Sequence, residues 1–93
     1  MNIKVKINKI LEGDKPTKAY ATVTIDDSIA IHGVGVVIKE KGRYVSMPFT
    51  RFTNSDGEEI RRDVCHPISS SVRKEVEEAV FKAYEEKINE INN

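Results

Sequence analysis

One cysteine, two histidines, no net charge and no long apolar run set the outer limits of this sequence. Cys65 alone closes no intramolecular disulfide, and without a CxxC or Cys/His companion set it builds no zinc site, so it reads as a buried structural thiol. No stretch approaches the roughly 18 consecutive apolar residues of a spanning helix, and no apolar N-terminal run resembles a signal peptide. The expected setting is the reducing cytoplasm, with no membrane insertion. His32 and His66 have no sequence neighbours that suggest a catalytic triad or a metal site. A phosphate-cradling loop needs a glycine-rich run leading from a strand into a helix, and that context is missing. Ser69, Ser70 and Ser71 stand near His66, but no Gly-x-Ser-x-Gly elbow is present and helix capping explains them. Asp26 with Asp27, and Glu58 with Glu59, read as solvated turn carboxylates rather than an acid/base pair. These gaps point away from an enzyme, a metal, a cofactor and a small-molecule substrate, and toward a binding protein.

What is present is enough to fold. Hydrophobic residues make up 39% of the chain and charged residues 32%, a globular balance that sets it apart from disordered sequences. Ninety-three residues close one modest core, so a single domain over 1–93 is expected. A core this small leaves a thin stability margin, and self-association as a homodimer would add burial.

Ile3, Val5 and Ile7 alternate with Lys4 and Lys6, the period of a half-buried strand. Gly13 to Pro16 form a turn, after which Ala19, Ala21, Val23 and Ile25 alternate with Tyr20, Thr22 and Thr24 in a second strand over Lys18 to Asp26. A third, long strand runs from Ile29 to Lys39, with a bulge expected near Gly33 and Gly35 because glycine weakens a strand interior unless a kink uses it. Arg43 to Met47 make a fourth strand, halted by Pro48. Residues 49 to 59 lack apolar periodicity and read as an exposed loop or loose hairpin tip; Ile60 to Cys65 add a short fifth strand. Ser69 to Ser71 supply an N-cap, and Val76, Ala79, Val80, Ala83, Tyr84 and Ile91 fall on one helical arc. Phe81 and Ile88 edge that arc as lateral packing or as a partner rim. The expectation is an α+β fold, an antiparallel meander of four to five strands over about 2–65, followed by one amphipathic C-terminal helix over about 70–91 packed on the sheet.

Zero net charge hides a polarity. Residues 1–74 carry 13 Lys and Arg against 9 Asp and Glu, whereas residues 75–93 carry 2 against 6, so the body is mildly basic and the tail helix acidic. Arg43, Arg51, Arg61, Arg62, Arg73 and Lys74 are spread over the fourth strand, the loop and the helix start. If folding brings them to one side they form a phosphate-binding surface, aided by helix-terminal donors beside Arg73 and Lys74. Scattered surface charge is the equally weighted alternative. Phe49 and Phe52 flank Arg51 either as stacking partners for unpaired bases or as a loop anchor.

Arg62-Asp63-Val64-Cys65 followed by His66-Pro67-Ile68-Ser69-Ser70-Ser71-Val72-Arg73 closely resembles the "RDIAHPINSSTR" segment of the stage V sporulation protein G family, SpoVG. Ala19 to Asp26, Ile31 to Val37 and Tyr44 to Pro48 are similar to further strands of that family, so the resemblance covers about residues 1–85. It implies a small bacterial cytoplasmic dimer, associated through its sheet, that takes part in sporulation and asymmetric septation and binds DNA and RNA as a regulator. No catalytic residue is implied. By position it makes Arg51, Arg62 and Arg73 the foremost phosphate contacts. The competing expectation is a protein-interaction module that acts on division partners through a sheet edge or the Phe81 and Ile88 rim.

Overall fold

The protein is described by a computed structural model covering residues 1–92. Its element order is β1 (Ile3–Ile10), β2 (Thr17–Ile25), β3 (Ile29–Lys39), β4 (Gly42–Ser46), β5 (Phe49–Thr53), β6 (Glu59–Asp63) and α1 (Ser70–Asn92). Strands β1 to β4 form one antiparallel meander in sequence order, and β5 and β6 form a separate two-stranded sheet.

Alternation sorts the meander into two faces. Ala19, Val23, Val34, Val36 and Val45 are buried on one side, where they meet Val76 and Val80 of α1 and Met47. Small and β-branched side chains fill the pleated surface beneath the helix. The helix runs nearest β1 and touches β2, β3 and β4 more lightly. Phe81 and Tyr84 pack at the flank of this core, so Phe81 takes the lateral-packing role. Ile91, placed by its spacing on the same arc, is 58% exposed. The reason is length: 23 residues make a helix of about 34 Å, and its last turns pass beyond the apolar layer.

Three irregularities adjust the sheet. Two residues of β3, His32 and Gly33, sit across from Thr22 between the pairs Ala21↔Val34 and Val23↔Ile31. This is the expected bulge; Gly33 holds φ +76°, a region closed to most side chains. Asn8 is the extra residue of β1 and Lys18 that of β2. The β2–β3 turn places Asp26 and Asp27 at φ 50° and 53°. Asp tolerates this conformation better than most residues, and here both side chains tie the turn to β1: Asp26 Oδ1 accepts the Asn2 amide at 2.7 Å while Lys4 pairs with Asp27 at 2.8 Å.

The segment 49–59 takes the hairpin alternative rather than the loop, with more of it in strand than expected. Phe49–Thr53 is a strand, the tip is confined to residues 54–58, and Glu59–Asp63 pairs with β5 instead of joining the meander as a fifth strand. No Cα of this hairpin comes within 8 Å of β1 to β4 or of α1. All five residues of β5 are exposed, so no half-buried face exists to leave an apolar period in the sequence. Local bonds hold it instead. Asn54 Oδ1 accepts the amides of Asp56 and Glu58 at 3.0 and 2.9 Å, and the Val64 amide donates to Pro48 O at 2.8 Å across its base.

At the start of α1 the Val72 amide donates to Ser69 Oγ at 3.2 Å, the expected serine cap. Ser69→Ala should therefore destabilise the fold by about 1 kcal/mol in chemical denaturation. Val80, 0% exposed, loses its apolar burial in Val80→Ala, for an expected loss of about 2 kcal/mol. Thermal unfolding followed by circular dichroism should show a Tm lower by roughly 8–16 °C, whereas Ile91→Ala should stay within about 0.5 kcal/mol of the parent.

Candidate functional site

Where the chain leaves β4 and returns from β6, a cationic groove opens between the meander and the base of the hairpin. It has a volume of about 620 Å³ and is lined by Arg61 and Arg62 of β6, Arg73 of α1, and His66, with Tyr44 and Ser46 of β4 as its floor. Asp63 is the carboxylate among its lining residues. The three arginines reach it by different routes. Arg61 and Arg62 come in on the returning hairpin strand, and Arg73 sits in the first turn of α1, which begins immediately after the segment that leaves the hairpin.

Arg61 is held by two contacts. Its Nη2 donates to Ser46 Oγ at 2.9 Å, and its guanidinium carbon lies 3.9 Å from the centre of the Phe49 ring. A ring face of this kind orients the guanidinium and leaves its remaining N–H groups free to meet an anion. Phe49 also lies 5.4 Å from the guanidinium of Arg51. Arg62 follows the alternation of the strand to the other face of the hairpin, where its guanidinium is 5.7 Å from the Phe52 ring. Phe49 and Phe52 thus both act as platforms for arginines, while staying 39% and 41% exposed.

Arg51 and Arg61 are direct cross-strand partners. Like charges facing one another across a ladder destabilise it. Glu59 moderates the arrangement, its carboxylate lying 3.6 Å from Arg51 Nη1 with both side chains about two-thirds exposed. An anion lying over the pair would remove the repulsion.

Two of the expected cations are sorted elsewhere. Arg43 pairs through its register with Ile38, on the helix side of the sheet. There its Nη1 meets Glu85 Oε1 at 2.7 Å and its guanidinium lies 4.4 Å from the Phe81 ring. Lys74 is exposed on the first turn of α1 but does not line the groove. His66, which the sequence left without a role, lines both this groove and a neighbouring apolar cleft of about 460 Å³, formed in part by Ile29, Ile31, Met47, Cys65 and Ile68. Cys65 is half-buried against the core and free. Among the described residues no cluster of His, Cys, Asp and Glu has the geometry to hold a metal ion, and no helix is long and apolar enough to cross a membrane.

Comparison with known proteins matches residues 1–86 to the SpoVG family model. A protein of Desulforudis audaxviator named "Putative septation protein SpoVG" is 40% identical over 81 residues, covering 87% of this chain and 86% of that protein. Proteins of the same name from Macrococcus caseolyticus and Staphylococcus saprophyticus are 42% and 40% identical over 82 residues, covering 88% of this chain and 67% and 76% of theirs. The shared name describes septation and not a catalysed reaction. The four-stranded meander, the single packed helix and these matches together establish that the chain belongs to the SpoVG family.

Proposed function

We propose that this protein is a cytoplasmic, homodimeric regulator of septation and sporulation that binds DNA or RNA through the cationic groove, with Arg61, Arg62 and Arg73 contacting phosphates. The observation that carries the reading is the gathering of these three arginines around one open groove, with Arg51 directly across the hairpin ladder from Arg61. Phosphate oxygens are the abundant biological anions that such planar donors recognise bidentately. Among the described residues no glutamate of the C-terminal helix lines the groove, and Glu85 is engaged by Arg43 on the helix side. A protein-interaction role through the Phe81 rim has less support, since Phe81 is packed against the core and lies under Arg43.

Dimerisation is supported by apolar surface left open in one copy. Ile68 is 92% and Ile29 60% exposed on the apolar cleft, and Val64 is 65% exposed next to Cys65; a two-stranded hairpin with little packing is marginal in water. The solution mass measured by light scattering should be twice the 10.5 kDa of one chain; a monomer at micromolar concentration would refute this part.

Binding to the groove should weaken steeply with salt, because each phosphate contact releases counterions. In shift titrations between about 50 and 200 mM salt, the triple variant Arg61→Ala, Arg62→Ala, Arg73→Ala should lose at least about tenfold in affinity and about 2–3 in the slope of log K against log salt. Arg51→Ala should reduce the slope by about 1 or less, and Arg43→Ala should leave it unchanged. Equal binding by the triple variant and the parent would remove the groove as the site.

A further inference from the structure

The face of the meander opposite the helix is uncovered, and its composition is unusual for a surface. Because Ala19, Ala21 and Val23 point toward the core, Tyr20, Thr22 and Thr24 point the other way. The register sets Lys9, Lys6 and Lys4 beside them on β1, and Gly35 beside Tyr20 on β3. Ser46 pairs with Gly35, and Tyr44 pairs with Val37, on the same side of β4. Side-chain contacts agree with this assignment. Asn8 Nδ2 donates to Thr22 Oγ1 at 2.7 Å, and Thr22 Oγ1 lies 3.0 Å from His32 Nδ1, a polar ladder across three strands. A Cβ built on Gly35 would stand 3.5 Å from Ser46 Cβ and 3.8 Å from Tyr20 Cε1.

Two properties of this face select a ligand. The first is charge: β1 to β4 contain no Asp or Glu at all, so Lys6 and Lys9 face no strand carboxylate, while Lys4 at the end of the face pairs with Asp27 of the β2–β3 turn. The second is the pair of tyrosine rings, with Tyr20 42% and Tyr44 39% exposed. Gly35 keeps the surface beside Tyr20 low, and Lys39 Nζ lies 5.5 Å from the Tyr44 ring. Two strand spacings and a two-residue offset separate the two tyrosines by about 12 Å. The face is continuous with the cationic groove, since Tyr44 and Ser46 line that groove and Ser46 Oγ receives Arg61. A flat sheet bearing exposed rings among cations is suited to bases that are free to stack, with the phosphates following the positive charge. The bases of a duplex are already stacked on one another and cannot use it.

We propose that this open sheet face is a stacking platform for single-stranded nucleic acid, with Tyr20 and Tyr44 each holding an unpaired base and the strand backbone continuing into the arginine groove. The inference rests on the nucleic-acid reading above and narrows it to unpaired bases.

The test compares fluorescence anisotropy of labelled 16-mer oligo(dT) and oligo(U) with that of a 16-base-pair duplex at one salt concentration. Wild-type protein should prefer the single strands. Tyr20→Leu and Tyr44→Leu, which keep apolar bulk, should each weaken single-strand binding by about 5- to 100-fold while leaving duplex binding and the salt slope unchanged. Tyr20→Phe and Tyr44→Phe should restore it. Because the chain has three tyrosines and no tryptophan, stacking should also quench intrinsic tyrosine emission on addition of oligo(dT), and Tyr84→Phe should keep that quenching. Single-strand affinity unchanged in both leucine variants, or an equal loss on the duplex, overturns the platform while the arginine groove stands. Failure of the wild type to bind any of the three probes overturns the platform and the groove together.

Discussion

A single helix can shield only one face of a four-stranded sheet, and much of this molecule follows from that limit. The chain spends its alanines and valines on the shielded side, where Ala19, Val23, Val34 and Val36 meet Val76 and Val80. It therefore leaves the other side to water, which polar and charged side chains tolerate and apolar ones do not. Lysines on β1, threonines on β2 and a histidine on β3 meet that requirement. The carboxylates are kept to turns, to the hairpin and to α1, so the two sides of the fold differ in charge although the whole is neutral.

The same limit explains which cations are free. Arg43 and Arg61 lie within one short stretch of fold, on β4 and β6, yet they face different neighbours. Arg43 alternates to the helix side and is claimed by Glu85 and the Phe81 ring. As a half-exposed surface pair this contact contributes at most about 1 kcal/mol, but it fixes the direction of the guanidinium. Arg61 reaches Ser46 and Phe49 instead. Neither partner carries a charge, so its positive charge remains available.

The meander was legible in the sequence because burial imprints a period of two on strands with one covered face. Ile3, Val5 and Ile7, and Ala19, Ala21 and Val23, carry that imprint, and Gly33 announced its bulge by being a glycine inside a β-branched run. The serine cap at Ser69 was legible for a local reason, since the bond spans three residues. The hairpin was not, because β5 buries nothing and periodicity reports only burial. The convergence of Arg61, Arg62 and Arg73, and the loss of Arg43 from that group, depend on how β6 and α1 approach β4. No spacing along the chain encodes such an approach. The resemblance in residues 62–73 named Arg62 and Arg73 without the geometry that sets them beside Arg61. The opposed Arg51 and Arg61 pair could have been found earlier only by knowing the register of a hairpin that the pattern did not disclose.

The hairpin is fastened at its root by the Val64 to Pro48 backbone bond and by Arg61 reaching Ser46, and buries little else against the rest of the fold. Segments with so few buried contacts open at little free energy compared with the core. Its amide protons belong at the fast end of hydrogen exchange, well ahead of β2 and β3. An arm of that kind would have to give up motion to hold a ligand. Part of any attraction it feels is spent on becoming still, leaving a grip that adapts to the width of its target at the expense of tightness.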